Sequence, residues 1–463
     1  MLTAQLDPRD PESRIARLLD DGKFEFLLPR TDCGMVAVSG DIKGNKVVVF
    51  ASDATIKSGA LGVEGSKVIV SAYQVAMEAQ VPIIGIWHSG GARLSDGVAS
   101  LDAFGEVFQS MISASGRIPQ LSLVLGPTAG GGAYGPALTD IVVLSPEGRI
   151  FVTGPDVVKS VTGEDIDMAL LGGPEAHRKN SGLAHIIAPT EQEAIDDVRD
   201  LTALFANHGV MKADVADIDL SVFVPQSKVR TYEVHPLVDA ILDKETEHIE
   251  LLSMWAPNMT TIIGRLGGAT VGVLANNPAH IAGVLDAAAG EKAARFVRTC
   301  DAFGIPLIVI ADVQGFLPGA GQEWEGAVRR GAKLLHAFGE AVVPRVTLIT
   351  RRAYGGAFIA MNSKALGATR VFAWPEAEVS VMGAVAAVRV LHRRILADLP
   401  AEQRESMELE LAAEHEKISG GVTRAVEIGA VDEIIEPSLT RSALAKIIAD
   451  TPHRRGAHGN IPL

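Results

Sequence analysis

Two cysteines, Cys33 and Cys300, are all that the 463 residues contain. That count excludes a disulfide framework and a four-thiolate zinc site, and it fits a reducing cytoplasm. Aromatic residues are sparse at 5%, and the longest apolar runs, such as VPIIGIW (81–87) and IPLIVIA (305–311), stop at seven residues. A helix crossing a bilayer needs about 20, so no membrane segment is expected. The start, MLTAQLDPRDPESR, carries charge from residue 7 and no apolar stretch, which leaves no secretory signal visible. Basic residues number 42 against 56 acidic ones, a net charge of −14 that argues against nucleic acid or an acidic membrane as partner. The basic end HRR (453–455) reads as a solvated tail. Conventional catalytic motifs are missing as well: there is no GxSxG elbow, no HExxH and no Walker phosphate loop.

What is there is a long, apolar-rich chain. Hydrophobic residues make up 47%, enough for a large core. The length implies two domains of about 230 residues each. Internal comparison supports the division. GDIKGNKVVVFASD (40–53) aligns with GRLGGATVGVLANN (264–277) at an offset of 224, and VPIIGI (81–86) with IPLIVI (305–310) at the same offset. GSK (65–67) meets GEK (290–292), and IPQLSLVLGPTAGG (118–131) meets VPRVTLITRRAYGG (343–356), at 225. LLDDGKFEFL (18–27) has an echo in ILDKETEHIEL (241–251). A nearly constant offset over five separate blocks identifies a duplicated unit. In each copy, β-branched runs (VVVFA, PIIGIW and LSLVL, then VGVLA, PLIVIA and VTLIT) predict strands. Segments of helical spacing lie between them, 66–80 and 291–303. Alternating strand and helix implies an α/β fold with a largely parallel sheet. The boundary is expected within 215–235, where periodicity is lost, giving domains 1–225 and 226–463.

Glycine is plentiful where the two copies look most alike. LGPTAGGGAYGPAL (125–138) and LITRRAYGGAFIAM (348–361) each place a glycine cluster between a predicted strand and a predicted helix. The first amides of a helix have no intrahelical partner, and glycine lets an anion or a developing oxyanion reach them. Tight helix–sheet packing, or a turn needing positive φ, would also call for glycine. A further glycine-rich turn, WHSGGARLSDGV (87–98), carries Arg93 where a phosphate or carboxylate could be held, or where it could simply be solvated.

SGGARLSDGVASLDAFGE (89–106), FVTGPDVVKSVTGEDI (151–166), EKAARFVRTCDAFGIP (291–306), DVQGFLPGAGQEWEGAVRRGAKLL (312–335), AYGGAF (353–358) and HGNIPL (458–463) carry a family resemblance. Over essentially its whole length the chain resembles the carboxyltransferase (β) subunit of biotin-dependent acyl-CoA carboxylases, a tandem crotonase-like (ClpP/crotonase) fold of superhelical β-β-α repeats. The resemblance implies an acyl-CoA site in the N-terminal copy and a carboxybiotin site in the C-terminal one. It implies that Gly130 and Gly131 donate to the thioester oxygen, and Gly356 and Ala357 to the ureido oxygen of biotin. Ser89, Gly90, Gly91, Ala92 and Arg93 would bind substrate, and no metal is implied. Ile359 stands where propionyl-preferring members commonly have Asp, and His88 where Asp commonly precedes SGGAR; His88 receives no role. The family branch with a Cys₄ zinc ribbon is excluded by cysteine count. The implied reaction carries a carboxyl group from carboxybiotin to acetyl-CoA, giving malonyl-CoA, and secondarily to propionyl-CoA, giving methylmalonyl-CoA. VMKA (210–213) lacks the setting of a biotin attachment site, so biotin is expected on a separate carboxylase/carrier (α) subunit. A dimer-based hexamer is implied. The alternative is a subunit of a biotin-dependent carboxyacyl-CoA decarboxylase.

Overall fold

A computed structural model describes residues 7–462 except 228, 229, 247 and 420, without the side chains of 401 and 416–419. The first six residues of the charged start, two residues of the expected boundary segment and the terminal Leu463 lie outside the described residues. The chain divides into two compact units. One comprises the described residues through His208 with Ile249–Trp255 and the terminal stretch from Ala457; the other comprises Gly209–His248 and Ala256–Gly456. Residues 209–225 therefore lie in the second unit. No helix among the described residues is long and apolar enough to cross a membrane.

In the first unit the strands are β1 (Phe24–Phe26), β2 (Met35–Ile42), β3 (Asn45–Ser52), β4 (Ile83–Ser89), β5 (Gln120–Ala129), β6 (Ile141–Leu144), β7 (Arg149–Phe151), β8 (Ile186–Ile187) and a two-residue β9 (Ile249–Glu250). The sheet order is β1-β2-β3-β4-β5-β6-β8, with β7 on β5. β1, β2 and β3 pair antiparallel and the rest parallel. Its principal helices are α1 (Pro11–Leu18), α2 (Val63–Ala79), α3 (Val98–Ala114) and α4 (Gly131–Leu138). Alternation along β4 sends Trp87 to the face covered by α2 and α3, where it joins Phe50, Tyr73, Phe104 and Met111 in one buried cluster. The Trp87 Nε1–H, which burial would otherwise leave unpaired, donates to Ser122 Oγ at 2.9 Å.

The second unit repeats this plan with β10 (Met259–Leu266), β11 (Ala269–Asn276), β12 (Leu307–Val313), β13 (Arg345–Tyr354), β14 (Arg370–Ala373), β15 (Glu378–Ser380) and β16 (Glu433–Ile434). They run in the order β10-β11-β12-β13-β14-β16, with β15 on β13. All six strands expected from the β-branched runs are present. The helix Ala287–Phe303 stands 224 residues after α2 at both ends, so the GSK–GEK match at 225 is one residue out of structural register.

One irregularity recurs in both copies. β4 pairs with β5 through Trp87↔Val124 and then Ser89↔Thr128, so three residues, Leu125 to Pro127, stand opposite His88 alone. β12 and β13 do the same: Ala311↔Ile349 is followed by Val313↔Ala353, leaving Thr350 to Arg352 opposite Asp312. Bulges are uncommon between parallel strands and they redirect the longer strand. Here that strand changes neighbour: β5 pairs with β6 through Val124 and with β7 from Pro127, and β13 moves from β14 to β15 in the same way. Each redirected strand then enters a glycine cluster.

Candidate active site

β5 ends at Ala129 and the chain turns at Gly130, whose φ of 57° and ψ of −130° suit glycine alone. Gly355, 225 residues later, has φ 59°. The next residues differ in what surrounds them. A Cβ on Gly131 would lie 3.3 Å from the Phe104 ring, one on Gly132 3.2 Å from Ser89 Oγ, and one on Gly356 would meet nothing within 4 Å. Close packing thus explains a glycine at 131 and 132 in part, and does not explain one at 356.

The amides decide which residues can act as donors. Gly130 N donates to Phe151 O at 3.2 Å, continuing the β5–β7 ladder. That hydrogen is engaged within the chain, which favours the neighbouring amides as donors to a thioester oxygen. Gly131 and Gly132 open α4, ahead of any intrahelical i→i−4 bond. The offset of 225 puts them opposite Gly356 and Ala357 in the second copy, so the two equivalent amide pairs are Gly131/Gly132 and Gly356/Ala357. That signal was present in the repeat, since the 118–131 block already sets Gly131 against Gly356.

The SGGAR turn comes to the first cluster. Gly91 adopts φ 92°, and a Cβ there would stand 3.0 Å from Ala129 O. Ser89 Oγ accepts from Gly91 N at 3.2 Å, Gly90 N donates to Ser58 O at 3.0 Å, and Ala92 bridges to Leu61. Arg93 makes contacts within the chain. Its Nη2 donates to Cys33 O at 2.6 Å and Ala60 O at 3.2 Å, tying the turn to the ends of neighbouring segments. Arg93 thus shapes the site through these carbonyls. Ile359 in the second unit is 46% exposed, three residues beyond Gly356; its counterpart in the first unit is Tyr134, 51% exposed. Among the described residues no group of three or more His, Cys, Asp or Glu side chains could hold a metal ion.

His88, given no role from sequence, sits on the sheet face opposite Trp87. Burial, and then the charge of Arg14, push its imidazole down to about 4, so the ring is neutral near pH 7. Arg14 itself is buried, which lowers its affinity for a proton.

Two backbone turns, each offering a pair of first-turn amides, can stabilise two oxyanions without any acidic or basic side chain. Residues 16–455 match the family model of the carboxyl transferase domain. The chain is 58% identical over 461 residues to a "biotin-dependent acetyl-/propionyl-coenzyme A carboxylase beta6 subunit" of Mycobacterium tuberculosis, covering 99% of this chain and 98% of that one. It is 52% identical over 463 residues to the propionyl-CoA carboxylase beta chain of Rhodococcus erythropolis, covering 99% and 97%. The solved structure of the transcarboxylase 12S hexamer, with methylmalonyl-CoA and methylmalonic acid bound, superposes with a TM-score of 0.90 at 34% identity, covering 98% of this chain and 92% of that one.

Proposed function

The chain belongs to the carboxyl transferase family, and from that premise we propose that it is the carboxyltransferase subunit of a biotin-dependent acyl-CoA carboxylase. It moves a carboxyl group between biotin, carried on a separate carboxylase/carrier subunit, and the α-carbon of acetyl-CoA or propionyl-CoA. The observation that carries this reading is the doubled glycine turn, with Gly131/Gly132 in one copy and Gly356/Ala357 in the other.

The first pair faces the thioester oxygen, which gains negative charge as the α-proton leaves. Donors already in place stabilise that charge without reorganisation, and removing one such donor typically costs about 3–4 kcal/mol of barrier. The SGGAR turn, Ser89 to Arg93, walls this site. Carboxybiotin supplies the carboxyl group and, once it has released it, a ureido nitrogen able to take the α-proton. The amides of Gly356 and Ala357 would hold the ureido oxygen; the open space over Gly356 fits a planar group lying close to the backbone. Ile359 gives the acyl pocket an apolar wall, which suits small unbranched acyl groups. Discrimination over one methylene is worth only about 1–3 kcal/mol, so overlapping use of acetyl-CoA and propionyl-CoA follows.

The N-terminal copy binds the CoA ester and the C-terminal copy the biotin. A complete site then needs the N-terminal copy of one chain and the C-terminal copy of its partner, as in a dimer-based hexamer. The test is the reverse reaction: the purified chain with malonyl-CoA or methylmalonyl-CoA and free biotin. Biotin-dependent formation of acetyl-CoA or propionyl-CoA is the expected result. No biotin-dependent loss of the carboxyl group from either ester would overturn the reading.

A further inference from the structure

The two bulges have the same backbone and different fillings. At the second, Asp312 is 1% exposed and its carboxylate accepts from Arg351 Nε at 2.8 Å and Arg352 Nε at 3.4 Å. Arg351 also donates from Nη1 to Ser227 O at 3.1 Å and Arg230 O at 2.8 Å, and its guanidinium lies 4.7 Å from the Tyr232 ring centroid. At the first bulge the offset of 224 puts His88 in the place of Asp312. The offset of 225 puts Gly126 in the place of Arg351 and Pro127 in that of Arg352. The strand-borne Asp–Arg pair is gone, yet the backbone anchor is kept. His88 N donates to Ser52 Oγ at 3.2 Å as Asp312 N donates to Asn276 Oδ1 at 3.3 Å, and Ser52 and Asn276 are themselves 224 apart.

The His88 ring takes up the space. A Cβ on Gly126 would come within 2.4 Å of Nδ1, 2.5 Å of Cε1 and 2.6 Å of Cγ. Arg14, from α1 and 4% exposed, brings a guanidinium from another element: Nη1 lies 3.4 Å from His88 Nδ1 and Nη2 3.5 Å from Leu125 O. Nδ1 facing an N–H must accept, which assigns the ring proton to Nε2.

We propose that His88 is a positioning residue for the first oxyanion turn. Wedged between Gly126 and Arg14, its ring does at the first bulge what the Asp312–Arg351 pair does at the second. It fixes where β5 leaves β6 for β7, and hence where the amides of Gly131 and Gly132 point. This rests on the reading of those amides as donors to the thioester oxygen. Placement matters because such donors act at about 2.7–3.1 Å from the oxyanion, and a misplacement of about 1 Å can cost about 100-fold in rate.

The experiment measures the reverse transfer from methylmalonyl-CoA to free biotin with the full chain and its His88→Ala, His88→Asn, Gly126→Ala and His88→Ala/Gly126→Ala variants. His88→Ala is expected to lower kcat by about tenfold or more with KM for the CoA ester changed less than about twofold, because the lost stabilisation is made only in the transition state. His88→Asn, whose Oδ1 stands in for Nδ1, should recover most of kcat. Gly126→Ala should lower kcat on its own and add little to His88→Ala, since the clash disappears with the ring. A folded His88→Ala enzyme with wild-type kcat, or fully additive losses, would overturn the proposal. If His88→Ala does not fold, wild-type kcat in Gly126→Ala overturns it instead. Gly131→Val is run beside them. Wild-type turnover there means that the oxyanion reading has failed; an inactive Gly131→Val with an unimpaired His88→Ala means that only the positioning role has.

Discussion

Gly356→Val isolates chemistry from packing. Gly356 is exposed, its φ is outside the left-handed range, and a Cβ there meets nothing within 4 Å. The Cβ of the substituted residue therefore encounters no steric obstacle within the chain. At the second position of the helix Gly355–Ala360, replacing glycine gains less than about 1 kcal/mol of helix propensity. For a unit of this size that moves the melting temperature by no more than about 4 °C. The functional expectation is far larger. The isopropyl group would stand where the ureido oxygen approaches the amides of Gly356 and Ala357, and loss of one such donor lowers kcat by about 100- to 1000-fold. The assay pairs biotin-dependent decarboxylation of methylmalonyl-CoA with thermal melting, and light scattering confirms that the oligomer is unchanged. A variant with wild-type melting temperature, wild-type assembly and wild-type kcat would show that Gly356 faces no reacting group, and the reasoning from free amides would fall with it.

Replacing Ile359 with Asp puts a carboxylate, which must stay hydrated or find a partner, against the proposed acyl pocket; kcat/KM for acetyl-CoA should fall by more than that for propionyl-CoA, and equal effects at an unchanged melting temperature would remove Ile359 from acyl selection. Asp312→Ala leaves Arg351 buried without its counter-charge, so urea denaturation should report a loss of about 3–5 kcal/mol in the second unit, and a change below about 1 kcal/mol would contradict the ion pair's role in holding that bulge. On the proposal that a complete site takes the N-terminal copy of one chain and the C-terminal copy of another, activity should require an oligomer; light scattering that finds an active monomer at micromolar concentration would refute this.

Much of the architecture was legible along the chain. The β-branched runs announce six strands because a strand buried on both faces must be apolar throughout, and the two helices beside them carry helical spacing. Duplication made each assignment twice and set Gly131 against Gly356. What remained hidden depends on contacts between residues far apart in sequence. Nothing local says that the Gly130 amide is engaged by Phe151 O, because that bond exists only once β5 has turned from β6 onto β7. Arg93 reads from sequence as either an anion clamp or a solvated charge, and only the fold brings the Cys33 and Ala60 carbonyls to it. His88 reads as an oddity in its strand. Only the approach of Arg14 from α1, with a glycine across the bulge, gives its ring a shape to fill and a charged neighbour. Likewise Ile249–Trp255 belongs with the first unit although the second has already begun, since compactness follows burial and not chain order. Periodicity and repeat are properties of the covalent sequence and could be read from it; the engagement of a given amide or guanidinium is settled by whichever partner the folded chain delivers, and that was decided by the tertiary structure alone.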